Sequence, residues 1–406
     1  MSRADQRLER YAALTLEIGL QLRAGQDLAI DAMIEHAPLA RALAEQAYRR
    51  GAHYVDIWYW DPHAKRSRVR HAPKDTLPWT PDWMDRRYQD LAERGGALVN
   101  LRGDPEPNLL AGLDGRRAGL DRLPAHAARY RLQSQMLVPW AIVYYPTEAW
   151  AQTMFGSPDV ERLWTHLERF LRLDQPDPIA AWRQHLARLR ARAVQLTELE
   201  LDALHFQGPG TDLTIGLIPQ ARWDISQALT STGQTALLNL PTEEVYTTPD
   251  RRRIDGVIRS TRPLALAGSV IEDLELAFAG GRVQTVRATT GADVVRTQQA
   301  TDTGASMLGE VALVDGTSPI GQSGLTFLDT GLDENATCHL AWGFGIPTVI
   351  PGWSERTPEE LLDLGVNQSV VHTDFMVGGP DVTVTGHRRD GSHATILQAD
   401  TWQLAT

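Results

Sequence analysis

The sequence predicts an α/β N-terminal domain followed by an α+β C-terminal domain. Helical and strand patterns alternate through the first half of the chain, whereas short apolar alternations between turn residues dominate after about Leu199. A chain of 406 residues, 42% of them hydrophobic, is long enough to form more than one core. We therefore predict two domains, spanning residues 1–190 and 191–406.

The first half contains a regular alternation of elements. Apolar residues at helical spacing predict helices, and runs of β-branched and aromatic residues predict strands. In chain order the predictions are helix Leu8–Leu22, strand Asp27–Ala32, helix Leu39–Arg50, strand His53–Trp60, helix Pro81–Arg94, strand Ala97–Leu101, strand Leu137–Tyr144, and helices Val160–Leu173 and Ile179–Leu196. Such alternation is typical of a layered domain with a largely parallel sheet.

The second half is interrupted more often by turn residues. Gly280-Gly281 separates two apolar stretches and predicts a β-hairpin. The other predicted strands are Leu204–Phe206, Leu213–Leu217, Val311–Val314 and Val370–Val377, and helices are predicted over Thr303–Leu308, Asn335–Trp342 and Pro358–Leu364. Mixed elements of this kind predict an α+β domain.

Charge and composition exclude several classes of protein. A net charge of −11 argues against a nucleic-acid partner and against an anionic membrane surface. No uncharged apolar run reaches the roughly 18 residues of a transmembrane helix, and the N-terminus lacks a signal peptide's apolar stretch, so we expect a cytoplasmic protein. Cys338 is the single cysteine, which excludes an intramolecular disulfide, and we interpret it as a small buried residue of a helix.

His372 and Asp374 are the most informative pair of residues. They lie two apart in the predicted strand Val370–Val377, so both side chains point to the same face. An imidazole beside a carboxylate in an apolar strand indicates either a hydrogen-bonded pair or a metal site, because unpaired charge is costly to bury. The pattern alone leaves both interpretations open.

Further carboxylates and a second histidine favour the metal. Glu244 follows a predicted strand end and turn, Glu310 begins an apolar strand, and Glu334 and His339 lie close together. Carboxylates and imidazoles suit zinc, cobalt or manganese. Several carboxylates with only two histidines suit a pair of ions about 3.5–4 Å apart, which would activate water and polarise a carbonyl for amide hydrolysis. We therefore expect the C-terminal domain to contain the metal site.

Several strings of the C-terminal half resemble the thermophilic metallo-aminopeptidases, the family of aminopeptidase T, aminopeptidase S and PepS. The matching strings are Asn239–Val245, Leu308–Val314, Ser318–Ile320, Asp333–Ala336, Cys338–Ala341 and His372–Met376. A weaker resemblance over Tyr11–Gln26 and Leu39–Trp60 extends it to nearly the whole chain.

The resemblance implies a function and a set of roles. It implies a metal-dependent aminopeptidase that acts on peptides with a free N-terminus, uses two divalent ions and forms a homodimer. It also implies that Glu310 has a catalytic role in addition to binding metal. By position, the implied metal ligands are Glu244, Glu310, His339, His372 and Asp374, together with Glu334 as a further acidic ligand.

The chain departs from the family pattern at one position. The family has a catalytic tyrosine seven residues after the first ligand histidine, where this chain has Ile346. A phenol there would stabilise the oxyanion, a role typically worth about 10²–10³ in rate. The neighbouring Trp342 and Phe344 are interpreted either as a reshaped pocket or as packing residues.

Two other functions remain alternatives. His339, His372 and Asp374 could form the two-histidine, one-carboxylate site of a mononuclear iron dioxygenase of related fold. Glu244 and Glu310 argue against this, because a mononuclear site does not need them. The absence of a hydroxyl at Ile346 leaves a non-catalytic metal-binding homologue as the other alternative.

Overall fold

The chain forms two compact units. The computed structural model describes residues 2–103, 106, 109–110, 112–121, 123 and 127–404. The first unit comprises Met1–Gln184 with Gln227–Pro241, and the second comprises His185–Ser226 with Thr242–Thr406. The single domain boundary placed at residue 190 stays a prediction.

The first unit contains a parallel sheet and helices. Its helices are α1 (Arg3–Leu14), α2 (Ala37–Arg49), α3 (Pro62–His71), α4 (Asp82–Glu93), α5 (Gly115–Leu120), α6 (Ala127–Ser134), α7 (Glu148–Phe155) and α8 (Val160–Phe170), and α9 (Pro178–Glu198) begins in it. Its strands are β1 (Asp27–Met33), β2 (Tyr54–Trp60), β3 (Ala97–Arg102) and β4 (Trp140–Tyr144), followed later in the chain by β7 (Gln227–Leu229) and β8 (Thr235–Leu237). Strands β1 to β4 pair in parallel in the order β2-β1-β3-β4, which confirms the predicted parallel sheet.

Buried strands and amphipathic helices stabilise this sheet. Strand β1 is buried along almost its whole length, as expected for a parallel strand covered on both faces. Tyr88 and Leu91 of α4 pack against Ala29 and Leu98 of the sheet. The spacing of three residues on α4 places these two side chains on one helix face, so the helical pattern of the sequence and the buried contact agree.

The second unit consists mainly of antiparallel sheet. Its strands are β5 (Leu201–Gly208), β6 (Thr211–Leu217), β9 (Val245–Thr247), β10 (Pro249–Arg259), β11 (Leu264–Leu266), β12 (Ser269–Ile271), β13 (Glu275–Ala279), β14 (Arg282–Arg287), β15 (Leu308–Leu313), β16 (His339–Gly343), β17 (His372–Met376), β18 (Thr383–Arg388), β19 (His393–Gln398) and β20 (Thr401–Trp402). Its short helices are α10 (Ala292–Gln299), α11 (Pro319–Gln322), α12 (Thr330–Asp333) and α13 (Pro358–Leu364). One sheet has the order β14-β13-β10-β6-β5-β18-β19-β20, another has the order β17-β16-β15-β9, and β11 pairs with β12.

Most elements predicted for the second half are confirmed, and two are wrong. The hairpin at Gly280-Gly281 and helix α13 form as predicted. The segment Asn335–Trp342, predicted as a helix, instead contains a short 3-10 turn and then strand β16, so Cys338 precedes a strand. The segment Thr303–Leu308 is a turn that leads into β15. Short apolar runs do not distinguish helix from strand, and pairing with β15 and β17 decides for strand β16.

Over the part of the chain that the structure describes, no helix combines the length and apolar character needed to cross a bilayer.

Candidate metal centre

One face of the four-stranded sheet β17-β16-β15-β9 collects acidic and imidazole side chains. Glu310 on β15 pairs with Ala341 on β16, and Ala341 pairs with Asp374 on β17. Directly paired residues of antiparallel strands point to the same side of the sheet. His339 lies two residues before Ala341 and His372 two residues before Asp374, so both imidazoles share this face. We call it the ligand face.

Glu244 reaches the same face from the edge of the sheet. It directly precedes β9, and Tyr246, two residues later, pairs with Ala312 on β15. Ala312 in turn pairs with His339. The alternation of side chains along β9 therefore places Glu244 and Tyr246 on the ligand face.

The first cluster on this face contains Glu244, Glu310 and His339, whose ligand atoms all lie within 4.8 Å of one another. The His339 Nε2 atom is 3.0 Å from Glu244 Oε2 and 3.9 Å from Glu310 Oε1. The His339 side chain is 1% exposed, so the cluster is shielded from solvent.

The second cluster contains Glu310, His372 and Asp374, again with ligand atoms within 4.8 Å. The His372 Nε2 atom is 3.2 Å from Glu310 Oε2 and 3.4 Å from Asp374 Oδ1. Glu310 thus belongs to both clusters, with one oxygen directed at each histidine. The His372 side chain is 34% exposed, which leaves this cluster accessible from one side.

Glu334 lies at the edge of the clusters and belongs to neither of the two groups found among the described residues. Its carboxyl group hydrogen-bonds to that of Asp374. Glu334 therefore contacts the second cluster through Asp374.

Two glycines allow the loop after β16 to orient His372. The His372 Nδ1 atom lies 2.8 Å from the Phe344 carbonyl oxygen, so a proton on Nδ1 satisfies that oxygen and leaves Nε2 for a ligand. A Cβ atom at Gly309 would lie 2.3 Å from the same oxygen, and one at Gly343 would lie 2.1 Å from the Val371 carbonyl oxygen. Any larger residue at either position would displace this loop.

Burial and mutual charge shift the pKa values of this group. Burial raises the pKa of the Glu310 carboxyl, and the charges of Asp374 and Glu244 add to that shift. Burial opposes protonation of His339, but Glu244 outweighs it and raises the His339 pKa to about 9. Burial favours the neutral forms of His372 and Asp374 as well. The attraction between their charged forms outweighs burial, so the pKa of His372 is raised and the pKa of Asp374 is lowered.

The charge balance of the clusters fits divalent cations. The carboxylates of Glu244, Glu310 and Asp374 are only 4%, 5% and 8% exposed. Within the described ranges, no lysine or arginine forms an ion pair with any of the three. Buried carboxylates are costly unless their charge is compensated, and imidazoles that are neutral, as metal binding requires, leave that compensation to the bound cations. The donor set of carboxylates and imidazoles is one that borderline divalent ions accept.

Sequence reasoning missed two residues near the clusters, and the structure decides between the alternatives left open for Trp342. Asn335 is fully buried and binds the backbone beside Glu244, and Tyr246 shares its face. The period of two along β9 would have revealed Tyr246. Trp342 lies on the opposite face, where it packs 5.2 Å from the Phe375 ring, so it does not reshape a pocket. Burial raises the pKa of the Cys338 thiol to about 12, which argues against a nucleophile.

A buried acid–imidazole cluster on a sheet face defines a candidate metallohydrolase. A sequence model of the family described as thermophilic metalloprotease (M29) matches residues 4–402, and the chain belongs to this family. Aminopeptidase T from Thermus aquaticus is 37% identical over 411 residues, covering 100% of both chains. Aminopeptidase 2 from Geobacillus stearothermophilus is 36% identical over 409 residues, covering 99% of both.

A solved structure agrees with these relatives. The structure of wild-type AmpT from Thermus thermophilus superimposes with a TM-score of 0.90 at 35% identity, covering 98% of this chain and 99% of that one. The predicted resemblance and the predicted enzyme class, a metallo-aminopeptidase, are therefore confirmed. The dioxygenase and the non-catalytic alternatives are not favoured.

Proposed function

We propose that this protein removes N-terminal residues from peptides with two divalent ions held on the ligand face. The observation that supports this most directly is the convergence of Glu244, Glu310, His339, His372 and Asp374 in two overlapping clusters. Two clusters that share one carboxylate suit a pair of ions better than a single ion. We assign Glu334 to the support of Asp374, since it contacts that carboxyl group.

The ions would be zinc, cobalt or manganese. When bound, such ions lower the pKa of water and polarise the carbonyl group of the scissile bond. The strand register holds Glu310 and Asp374 in one row, so their carboxylates are positioned for the ions before binding. The Phe344 carbonyl oxygen fixes the ring of His372.

Glu310 is the residue that we assign to proton transfer. It lies between the two histidines and is almost fully buried, so its carboxylate is shielded from bulk water. In the proposed reaction Glu310 accepts the proton of the attacking water and returns it to the nitrogen of the leaving peptide. The new carbon–oxygen bond forms as the carbonyl π electrons move to oxygen, and the carbon–nitrogen bond then breaks.

We also propose that the enzyme is a cytoplasmic homodimer. Aromatic side chains are enriched in protein interfaces, and several are exposed in the first unit. Tyr54, Trp79 and Trp83 are 55%, 63% and 49% exposed. A dimer that encloses the active site would admit short peptides and exclude folded proteins.

Hydrolysis of a panel of aminoacyl anilides by the metal-reconstituted protein tests this function. We expect turnover of anilides with a free α-amine and none of their N-acetylated counterparts, which serve as the matched control. Metal analysis should give about two zinc, cobalt or manganese ions per chain, as a pair of ions requires. One iron per chain, or equal cleavage of the blocked and free substrates, would contradict the proposal.

A further inference from the structure

Tyr246 places a phenol on the ligand face beside the clusters. It lies two residues after Glu244 and pairs with Ala312, which pairs with His339. Neighbouring strands are about 4.8 Å apart, and only the methyl group of Ala312 stands between Tyr246 and His339 in this row. Tyr246 is 5% exposed, so its side chain is buried on this face of the sheet.

The loop after β16 contacts the Tyr246 side chain. Ile346 of this loop packs against the hydrophobic cluster that includes Tyr246. The Tyr246 side chain also lies within electrostatic reach of Asp224, and then of Glu310 and Glu244.

A hydrogen-bond donor beside the ions would add to the stabilisation of the transition state of amide hydrolysis. The carbonyl oxygen of the scissile bond becomes negative when water adds, and a positioned neutral donor stabilises that charge. Ile346 has no hydroxyl group, and the Thr248 hydroxyl group already donates to the Gly309 carbonyl oxygen at 2.7 Å. Tyr246 therefore offers a neutral phenol on the same face as Glu310.

We propose that Tyr246 is a catalytic residue that donates a hydrogen bond to the oxyanion of the tetrahedral intermediate. The phenol holds its proton throughout: the π electrons of the carbonyl move onto oxygen, the phenol O–H bonds to that oxygen, and the bond is released when the carbon–nitrogen bond breaks. This inference rests on the proposed function, and it names the donor that the site uses in the absence of a hydroxyl group at Ile346.

Substitution Tyr246→Phe in the metal-loaded protein tests the role, because it removes one oxygen and keeps the ring. We expect kcat for a leucine anilide to fall about 10²-fold while KM and metal content stay unchanged, as for the loss of an oxyanion donor. Tyr88→Phe is the matched control: it removes a buried hydroxyl group from Asp31 in the first unit and should leave kcat unchanged.

A binding measurement supplies a readout that does not depend on turnover. Calorimetry should show that Tyr246→Phe weakens an α-aminophosphonate analogue of the tetrahedral intermediate about 10²-fold and leaves the affinity for leucine unchanged. Equal losses for both ligands, or a kcat within about threefold of the wild type, would overturn the role of Tyr246 alone. Absence of turnover by the wild type would instead contradict the proposed function, and this role with it.

Discussion

The side-chain oxygen of Asn335 accepts a hydrogen bond from the backbone N–H of Glu243 at 2.7 Å. Asn335 is fully buried, and its amide nitrogen donates to the Gly331 carbonyl oxygen at 3.1 Å. One side chain thus joins the segment before Glu244 to the turn that contains Glu334. Residues that orient metal ligands through hydrogen bonds commonly change metal affinity by about 10- to 100-fold when they are substituted.

Asn335→Asp should weaken metal binding about 10- to 100-fold, because it removes the donor to Gly331 and adds a carboxylate beside Glu334. Competition with a chromophoric chelator measures the affinity. Asn100→Asp, at a buried position of the first unit, is the control and should lower stability without changing metal affinity. Unchanged metal affinity in Asn335→Asp would show that Asn335 does not position Glu244.

Glu310→Gln and Asp374→Asn should each reduce hydrolysis by about 10² or more while the fold is retained. Glu310 belongs to both clusters and Asp374 to one, so metal content should fall further in Glu310→Gln than in Asp374→Asn. Anilide turnover, metal analysis and circular dichroism measure the three properties. Glu355→Gln, at an exposed carboxylate, is the control. Wild-type turnover at equal metal content would refute the assignment.

Ile346→Tyr should raise the kcat of the Tyr246→Phe protein about tenfold or more. The same substitution should change the kcat of the wild type little. Ile346 packs against the hydrophobic cluster that includes Tyr246, so we expect a phenol at either position to occupy the same region. A double-mutant cycle of kcat measures the coupling between the two substitutions. Strictly additive effects would mean that the two positions do not share one function.

His36 should make the first unit less stable in acid. Its Nδ1 atom accepts from the Met33 N–H at 3.3 Å and its Nε2 atom lies 2.9 Å from the Gly103 carbonyl oxygen, and burial lowers its pKa to about 4. The unfolded chain binds a proton below about pH 6.5 and the folded chain does not until about pH 4, so stability falls as the pH decreases through this window.

The magnitude follows from the same linkage. At about pH 5, His36 should reduce the free energy of unfolding by about 2 kcal/mol relative to about pH 7.5. Urea unfolding measures the free energy of unfolding at both pH values. The difference between the two values should be about 2 kcal/mol smaller in His36→Gln than in the wild type. It should persist in His71→Gln, where the side chain is exposed. An equal pH dependence in His36→Gln and the wild type would contradict the prediction.

Light scattering at micromolar concentration should give the mass of a homodimer, twice the 45.0 kDa of the chain. If the exposed aromatic side chains of the first unit contribute to the interface, Trp79→Ser with Trp83→Ser should shift the mass toward the monomer. Val370→Ser, at an exposed apolar residue of the second unit, is the control. A wild-type monomer, or ready cleavage of intact folded proteins, would contradict an enclosed dimer.

The sequence by itself determined the elements whose pattern is long and regular. The parallel sheet of the first unit follows from apolar strands that alternate with amphipathic helices, because each of these elements shows its period within one short stretch. The metal ligands implied by the matching strings stay a prediction, and the structure brings five of those residues together in two clusters. His372 and Asp374 needed only the period of two on one strand.

Only the tertiary structure decided how these residues meet. Glu244, Glu310 and His339 belong to three strand segments far apart in sequence, and the register of β9, β15 and β16 places them on one face. The same pairing made β16 a strand where a helix was predicted. Local patterns do not specify which strands pair or in what register, because those contacts join residues distant along the chain.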